Sequence, residues 1–270
     1  MPRLIILLAC GAVATFAAGV ALTRGDSTGV NPPSNPFTPF FAGKVTAPAD
    51  LPLLTRPGEK WDGTELAEAP GVCLGTGRYR LRSGNRVTPV ALTAPHGGSD
   101  MATATIVDLL FAESDAAAAA FNSAPRSPSA TCGGLAVDLT QQPDHAFTDF
   151  ARAFAAQYPD GIVVQLHGFD ARAQRGDADM IVSNATRQPD APLLDLADCL
   201  TIAIAPDKVA VFPVESDALG GTGNAQAAAL RDMGKSRFIH LETSAALRQR
   251  LMRDAGLRAG LNACLAENVR

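Results

Sequence analysis

The chain has 270 residues, 47% of them apolar, and a formal net charge of −4. An acidic pI near 5.6 argues against a nucleic-acid partner, because such binders usually present a basic face. The length suits one domain with a sizeable core, and no internal repeat points to a solenoid.

In chain order, the first feature is Met1-Pro2-Arg3 followed by an apolar run from Leu4 to Leu22, with small residues at Ala18, Gly19 and Ala21. A basic start and an apolar middle read as a secretory signal peptide within residues 1–25. The rival reading is an N-terminal anchor, since the run is just long enough to span a bilayer. Membrane contact is expected only if this segment stays uncleaved. Cys10 after Leu7-Leu8-Ala9 makes a poor lipoprotein box because the apolar run continues past it. Either way the remainder is expected to be exported, to the periplasm or the extracellular space. Residues 26–65, with Asn31-Pro-Pro-Ser-Asn-Pro-Phe-Thr-Pro, are rich in proline and poor in periodicity, and predict a linker or surface-wrapping arm. Residues 66–270 are then the domain.

Short apolar runs predict strands at Val87–Thr93, Gly161–Leu166, Met180–Ser183, Lys208–Phe212 and Arg237–Leu241. Helices are predicted over Thr103–Ala120, His145–Gln157, Pro192–Ala203, Asn224–Met233 and Ala245–Ala255, the last capped by Thr243 or Ser244. Alternating strands and helices imply an α/β fold in three layers, with a mixed, mainly parallel sheet covered by helices on both faces. Ligands bind such sheets beyond the carboxyl ends of strands. Cys73, Cys132, Cys199 and Cys264 form an even set without a C-x-x-C pair, which predicts two structural disulfides. Of three possible pairings, Cys73–Cys132 with Cys199–Cys264 is preferred, since each joins the flanks of neighbouring elements.

Three strand ends carry ionisable groups: Ala94-Pro-His96-Gly-Gly-Ser-Asp100, Leu166-His167-Gly168-Phe169 and His240-Leu-Glu242-Thr243. A catalytic zinc ion needs three protein ligands of the His/Asp/Glu kind and one position left for water. His96 and Asp100 lie four apart in a glycine-rich turn, and His167 arrives from another strand. Glu242 is the acid sited to take a proton from water and pass it to a leaving nitrogen. Glycines 97, 98 and 168 would let backbone pass close to metal and substrate. Each residue also has a plainer reading. Either histidine alone is more often a hydrogen-bonded structural group, Asp100 could cap the helix that follows, and Glu242 could be a first-turn acid. His145 reads as a helix cap, and His240, on the same face of its strand as Glu242, as a residue that lines the pocket or covers the sheet.

These motifs, Ala-Pro-His-Gly-Gly, Leu-His-Gly-Phe and His-Leu-Glu-Thr-Ser-Ala-Ala-Leu-Arg, resemble those of the zinc amidohydrolases that include poly-γ-glutamate hydrolases and N-formylglutamate amidohydrolases. Gly220-Gly-Thr-Gly-Asn-Ala-Gln226 adds weaker support. The resemblance covers roughly residues 75 to 255 and implies a zinc exopeptidase-like fold with one zinc ion per chain. It also implies His96, a nearby acid and His167 as ligands, with Glu242 as general acid/base. One departure stands out: the poly-γ-glutamate hydrolases place a glutamate five positions after the first histidine, where this chain has Met101. Asp100 matches the N-formylglutamate pattern instead. Relatives of this kind cut an amide beside a carboxylate, so γ-glutamyl, N-acyl amino acid and peptide substrates are expected, held by an arginine clamp. Arg248, Arg187 and Arg126 are candidates, and Asn224 could add a hydrogen bond; Arg248 and Asn224 are the residues chosen.

Two rivals remain. A serine hydrolase needs a G-x-S-x-G elbow, and Val214-Glu-Ser216-Asp-Ala218 lacks both glycines. The second is a periplasmic binding protein that keeps the fold and has lost catalysis.

Overall fold

Residues 35–58, 62–84, 87–170, 176–234 and 237–269 are described by the structure, a computed structural model. The predicted signal segment, residues 1–25, lies outside them. Nine strands are present among the described residues: β1 (Leu54–Pro57), β2 (Gly63–Ala67), β3 (Arg78–Arg82), β4 (Thr88–Ala94), β5 (Ala116–Phe121), β6 (Ile162–Gly168), β7 (Met180–Ser183), β8 (Val209–Val211) and β9 (Arg237–Thr243). They form one mixed sheet in the order β1-β2-β3-β5-β4-β6-β9-β7-β8. Its centre, β5-β4-β6-β9, is parallel, while β1, β2 and β3 extend one side antiparallel and β7 runs against β9.

Helices cover both faces. On one face lie α2 (Thr103–Ala112), α4 (Ala191–Ala203), α6 (Ala245–Arg253) and α7 (Ala255–Glu267), which bury Ile106, Leu110, Leu196, Leu200, Leu251 and Leu261 against Leu92, Val164 and Ile239. On the other lie α1 (Thr38–Phe41), α3 (Ala146–Gln157) and α5 (Ala225–Met233), whose Phe147, Phe150, Phe154 and Leu230 pack on Ala91, Val163 and Phe238. The apolar residues of β4, β6 and β9 therefore divide between two cores, the strand period of two feeding each in turn. Among the described residues no helix is long and apolar enough to cross a membrane.

Within residues 35–65, Phe37 and Phe40 are fully buried, and Phe37 stacks on Tyr79 and Phe150 with ring centroids 4.5 and 5.6 Å apart. The same stretch supplies β1 and most of β2. The helix expected over Thr103–Ala120 is corrected: α2 stops at Ala112, and Ala116–Phe121 is a strand inside the sheet. Alanine is the best helix former in isolation, but here every residue of the run is buried between β3 and β4. Small side chains let both helix layers approach that strand, and tertiary packing overrides propensity. The helix expected over Ala245–Ala255 ends at Arg253, and a further helix not expected, α7, follows, with Asp254 capping it through Leu257 N.

Both predicted disulfides are present, Cys73–Cys132 and Cys199–Cys264, with Cα atoms 5.4 and 5.7 Å apart. They close loops of 59 and 65 residues, each worth about 4 kcal/mol on the chain-entropy account. His145 caps α3: its Nδ1 accepts from Phe147 N at 3.0 Å, and its Nε2 donates to the Gly75 carbonyl at 2.9 Å. Burial lowers its pKa, against smaller upward pulls from the Gly75 carbonyl and Asp149. Protonation would remove the Nδ1 acceptor. The unfolded chain therefore takes up this proton first, and the contribution to stability, full above the ordinary histidine range, is lost as pH falls through that range. Urea denaturation from about pH 8 to pH 5 should show the wild type losing more stability than His145→Asn, which caps without titrating.

Candidate metal centre

Strands β4, β6 and β9 lie side by side, and their carboxyl ends bring the three predicted motifs together. In register, Thr93 faces Gln165 and His167 faces Glu242. After β4 the chain turns back on itself, with Ser99 N and Asp100 N both donating to the His96 carbonyl at 2.8 Å. This return sets Asp100 beside His96. Asp100 does not cap α2: Ala102 takes that position with φ 69° and no side-chain cap bond. Instead Asp100 Oδ2 accepts from Gly168 N at 3.1 Å, which fixes the carboxylate across the ends of β4 and β6.

His96 Nδ1, His167 Nδ1 and Asp100 Oδ2 converge. The two ring nitrogens are 3.1 Å apart, and Asp100 Oδ2 lies 3.4 Å from His96 Nδ1 and 3.7 Å from His167 Nδ1. A tetrahedral ion with bonds of about 2.0–2.1 Å holds its ligands about 3.3 Å apart. The observed edges fit that figure, and the donor set, two imidazoles and one carboxylate, suits a divalent metal. The outer nitrogens have acceptors of their own. His96 Nε2 is 2.9 Å from Asp138 Oδ1, and His167 Nε2 is 3.2 Å from Gln165 Oε1. Both rings thus turn Nδ1 inward, as metal-bound histidines with outer-shell partners do. Asp138→Ala should weaken metal binding by about ten- to a hundredfold, measured by competition with a chromogenic chelator.

Electrostatics follow from burial and pairing. Burial alone would raise the pKa of Asp100, but hydrogen bonds from His167, His96 and Gly168 N outweigh it and hold the carboxyl well below its usual range. Burial would lower His96, yet Asp100 and Asp138 outweigh it and raise it. His167 is pushed down to about 4 by burial, with a further push from His240 that the Asp100 hydrogen bond does not cancel. The sum is a buried, acceptor-rich cluster with one basic ring, which a cation would satisfy by displacing a proton.

The cluster forms the floor of a cleft of about 440 Å³ whose walls include Arg126, Thr140, Phe169, Leu219 and Glu242. Glu242 stands beside His167, with Oε1 3.2 Å from His240 Nε2. The His240 ring stacks on His167 at 4.4 Å between centroids, so it bridges Glu242 and His167.

Of the two residues expected as substrate contacts, Asn224 lines the cleft with its carboxamide engaged, and Arg248 does not line it. Arg248 is buried under Gly168 and donates to the Thr243 carbonyl, off the walls of the cleft. A Cβ at position 168 would run into its guanidinium, so this glycine makes room for Arg248 and not, as expected, for metal or substrate. Burial lowers the pKa of Arg248, opposed by the charges of Asp100 and Glu242, which this cation supports from behind. Asn224 caps α5 and donates to Gln165 Oε1 at 2.7 Å. Arg187 lies over the Phe212 ring. Among the described residues Arg126 is the arginine on the wall, exposed, with Nη1 3.3 Å from His96 Nδ1.

Asp138, Gln165 and Gln226 were not anticipated. A glutamine two before a histidine on an otherwise apolar strand was the available signal for Gln165; Asp138 had none. The loop bearing Asp138 and Arg126 is tied down by Cys73–Cys132 and by Glu68, whose buried carboxylate accepts from Leu74 N, Thr76 N, Thr76 Oγ1 and Ser123 Oγ.

The fold, a mixed sheet between two helix layers, is similar to that of solved metallocarboxypeptidases. A metallo-carboxypeptidase from Burkholderia cenocepacia matches 78% of this chain at 12% identity and a TM-score of 0.50. A candidate carboxypeptidase from Burkholderia mallei matches 78% at 12% identity and a TM-score of 0.52. Succinylglutamate desuccinylase from Vibrio parahaemolyticus is a more distant likeness, at 13% identity and a TM-score of 0.45 over 80% of this chain and 77% of its own. The chain spans 65% of the length of each Burkholderia structure. No family model and no curated protein matches the sequence.

Proposed function

We propose that this chain is a zinc-dependent hydrolase that cleaves an amide bond near a carboxylate, in a γ-glutamyl, N-acyl amino acid or peptide substrate. The observation that carries the reading is the spacing of His96 Nδ1, His167 Nδ1 and Asp100 Oδ2, which matches the edges of a zinc tetrahedron, with Glu242 on the adjoining strand. Zinc held by these three residues supplies Lewis acidity and lowers the pKa of water towards about 7. Asp138 and Gln165 orient the two rings. Glu242 takes a proton from the attacking water and delivers it to the leaving nitrogen as the C–N bond breaks. Arg126, the cation on the cleft wall, pairs with the substrate carboxylate, a role for which a planar guanidinium is suited. Its place supports Arg126 over Arg248 as the clamp.

The enzyme is proposed to act outside the cytoplasm. Support comes from the apolar run Leu4–Leu22 and from two disulfides, which persist in oxidising compartments.

Metal analysis of the purified full chain, together with hydrolysis of a panel of γ-glutamyl, N-acyl amino acid and dipeptide amides, tests the reading. About one zinc per chain with turnover on one class is expected. A folded chain that takes up no zinc would sink it.

A further inference from the structure

We infer that a circuit of three buried carboxamides, Gln165, Gln226 and Asn224, sets the proton position on His167 and so prepares its Nδ1 for metal. This rests on the reading of His167 as a ligand.

The polarity of each link follows from its neighbours. Asn224 Oδ1 caps α5 by accepting from Gln226 N and Ala227 N, both at 3.0 Å. Its other end must therefore donate, and Nδ2 meets Gln165 Oε1 at 2.7 Å. Gln165 is thus left with Nε2 as donor, which reaches Gln226 Oε1 at 2.9 Å. Gln226 Nε2 then donates to the Leu139 carbonyl at 2.9 Å and to Thr148 Oγ1 at 2.7 Å. A backbone carbonyl only accepts. Read from Leu139 instead of Asn224, the circuit has the same direction, so it is anchored at both ends.

Gln165 Oε1 is consequently an acceptor where it faces His167 Nε2 at 3.2 Å. The imidazole must carry its proton on Nε2, which leaves the Nδ1 lone pair bare and turned toward Asp100 and His96. Gln165 and Gln226 are fully buried, and Asn224 and His167 are only 4% and 2% exposed, so water does not offer the alternative pairing. His96 gets the same proton placement from a carboxylate, Asp138. His167 gets it from a neutral amide whose direction is fixed by a helix cap.

The test is Asn224→Asp made together with Gln226→Met, which removes the anchor at Leu139 and leaves Gln165 free to turn. Aspartate caps helices as well as asparagine, but it replaces the donor facing Gln165 with an acceptor. Gln165 then turns its amide, presents Nε2 to His167 and drives the imidazole proton to Nδ1. An added negative charge near a cation site would by itself strengthen metal binding; the circuit requires the opposite. Expected is zinc affinity about ten- to a hundredfold weaker by chelator competition. Imidazole ¹⁵N shifts of the metal-free chain, at about pH 8 where histidine is neutral, should move from the Nε2–H to the Nδ1–H pattern. Wild-type affinity in that double variant with the Nε2–H pattern retained would overturn the inference. If that variant does not fold, Gln165→Met removes the acceptor without the charge: a mixed tautomer supports the circuit, and an unchanged one overturns it. A wild-type chain that binds no zinc sinks the ligand assignment instead, while the ¹⁵N pattern still decides the circuit.

Discussion

Glu242→Gln is expected to abolish most turnover and to leave metal binding intact. The expected loss is about 10²- to 10⁴-fold, the contribution typical of a positioned acid/base group. The amide keeps the size of the carboxylate and its contact with His240 Nε2, so the pocket persists while the proton acceptor is gone. Three features single out this carboxylate. It stands at the end of β9 in register with His167, it is held by a ring stacked on that ligand, and it opens on the cleft. Turnover under saturating substrate, with zinc content measured on the same sample, is the readout. A variant with full zinc and undiminished turnover would remove Glu242 from the chemistry.

His167→Ala is expected to take zinc from about one per chain to none, and turnover to background, without dismantling the sheet. His167 lies at the carboxyl end of β6, past the apolar residues Val163, Val164 and Leu166 that bind the strand into the two cores. Loss of its ring removes one of three donors, and His96 with Asp100 alone offers too few. The same geometry sets a pH dependence. As pH falls, the metal-free chain takes up a proton on His96 Nδ1, whose ring has its pKa raised by Asp100 and Asp138, before His167 Nδ1, 3.1 Å away, whose ring has its pKa depressed by burial. Zinc must displace that proton, so binding is strong above the His96 titration and is lost as pH falls through it. Calorimetric zinc titrations in buffers of different ionisation heat should show proton release. His167→Ala should show neither heat nor release.

The centre of the fold was legible in the sequence because β4, β6 and β9 are buried on both faces and read as unbroken apolar runs ending in polar groups. The candidate ligands, which the structure brings together, stand at those ends. What escaped notice did so for identifiable reasons. β3, Arg78-Tyr-Arg-Leu-Arg82, hides as a charged segment because its arginines lie over the Phe121 and Phe111 rings and pair with Glu65 and Asp108. β5 reads as helix because alanine tells of propensity and nothing of crowding. Arg248 sits one helical turn beyond the site in sequence, and a string of letters does not reveal that Gly168 vacates the space it fills. Asn224 was found, but its carboxamide is spent on the α5 cap and Gln165. Asp138 comes from a loop after β5 with no periodic signal, and only the folded chain brings it to His96.

Phe37, Phe40 and Phe41 belong to the same aromatic cluster as Tyr79, Phe150 and Phe154. That places a boundary on how the polypeptide can be trimmed. Any proteolytic maturation that spares the domain has to cut upstream of Asn35, whose Nδ2 donates to the Asp149 carbonyl at 2.7 Å and pins the segment to α3. A cut further in would strip a wedge of rings from the α3 face and bare an oily surface prone to self-association.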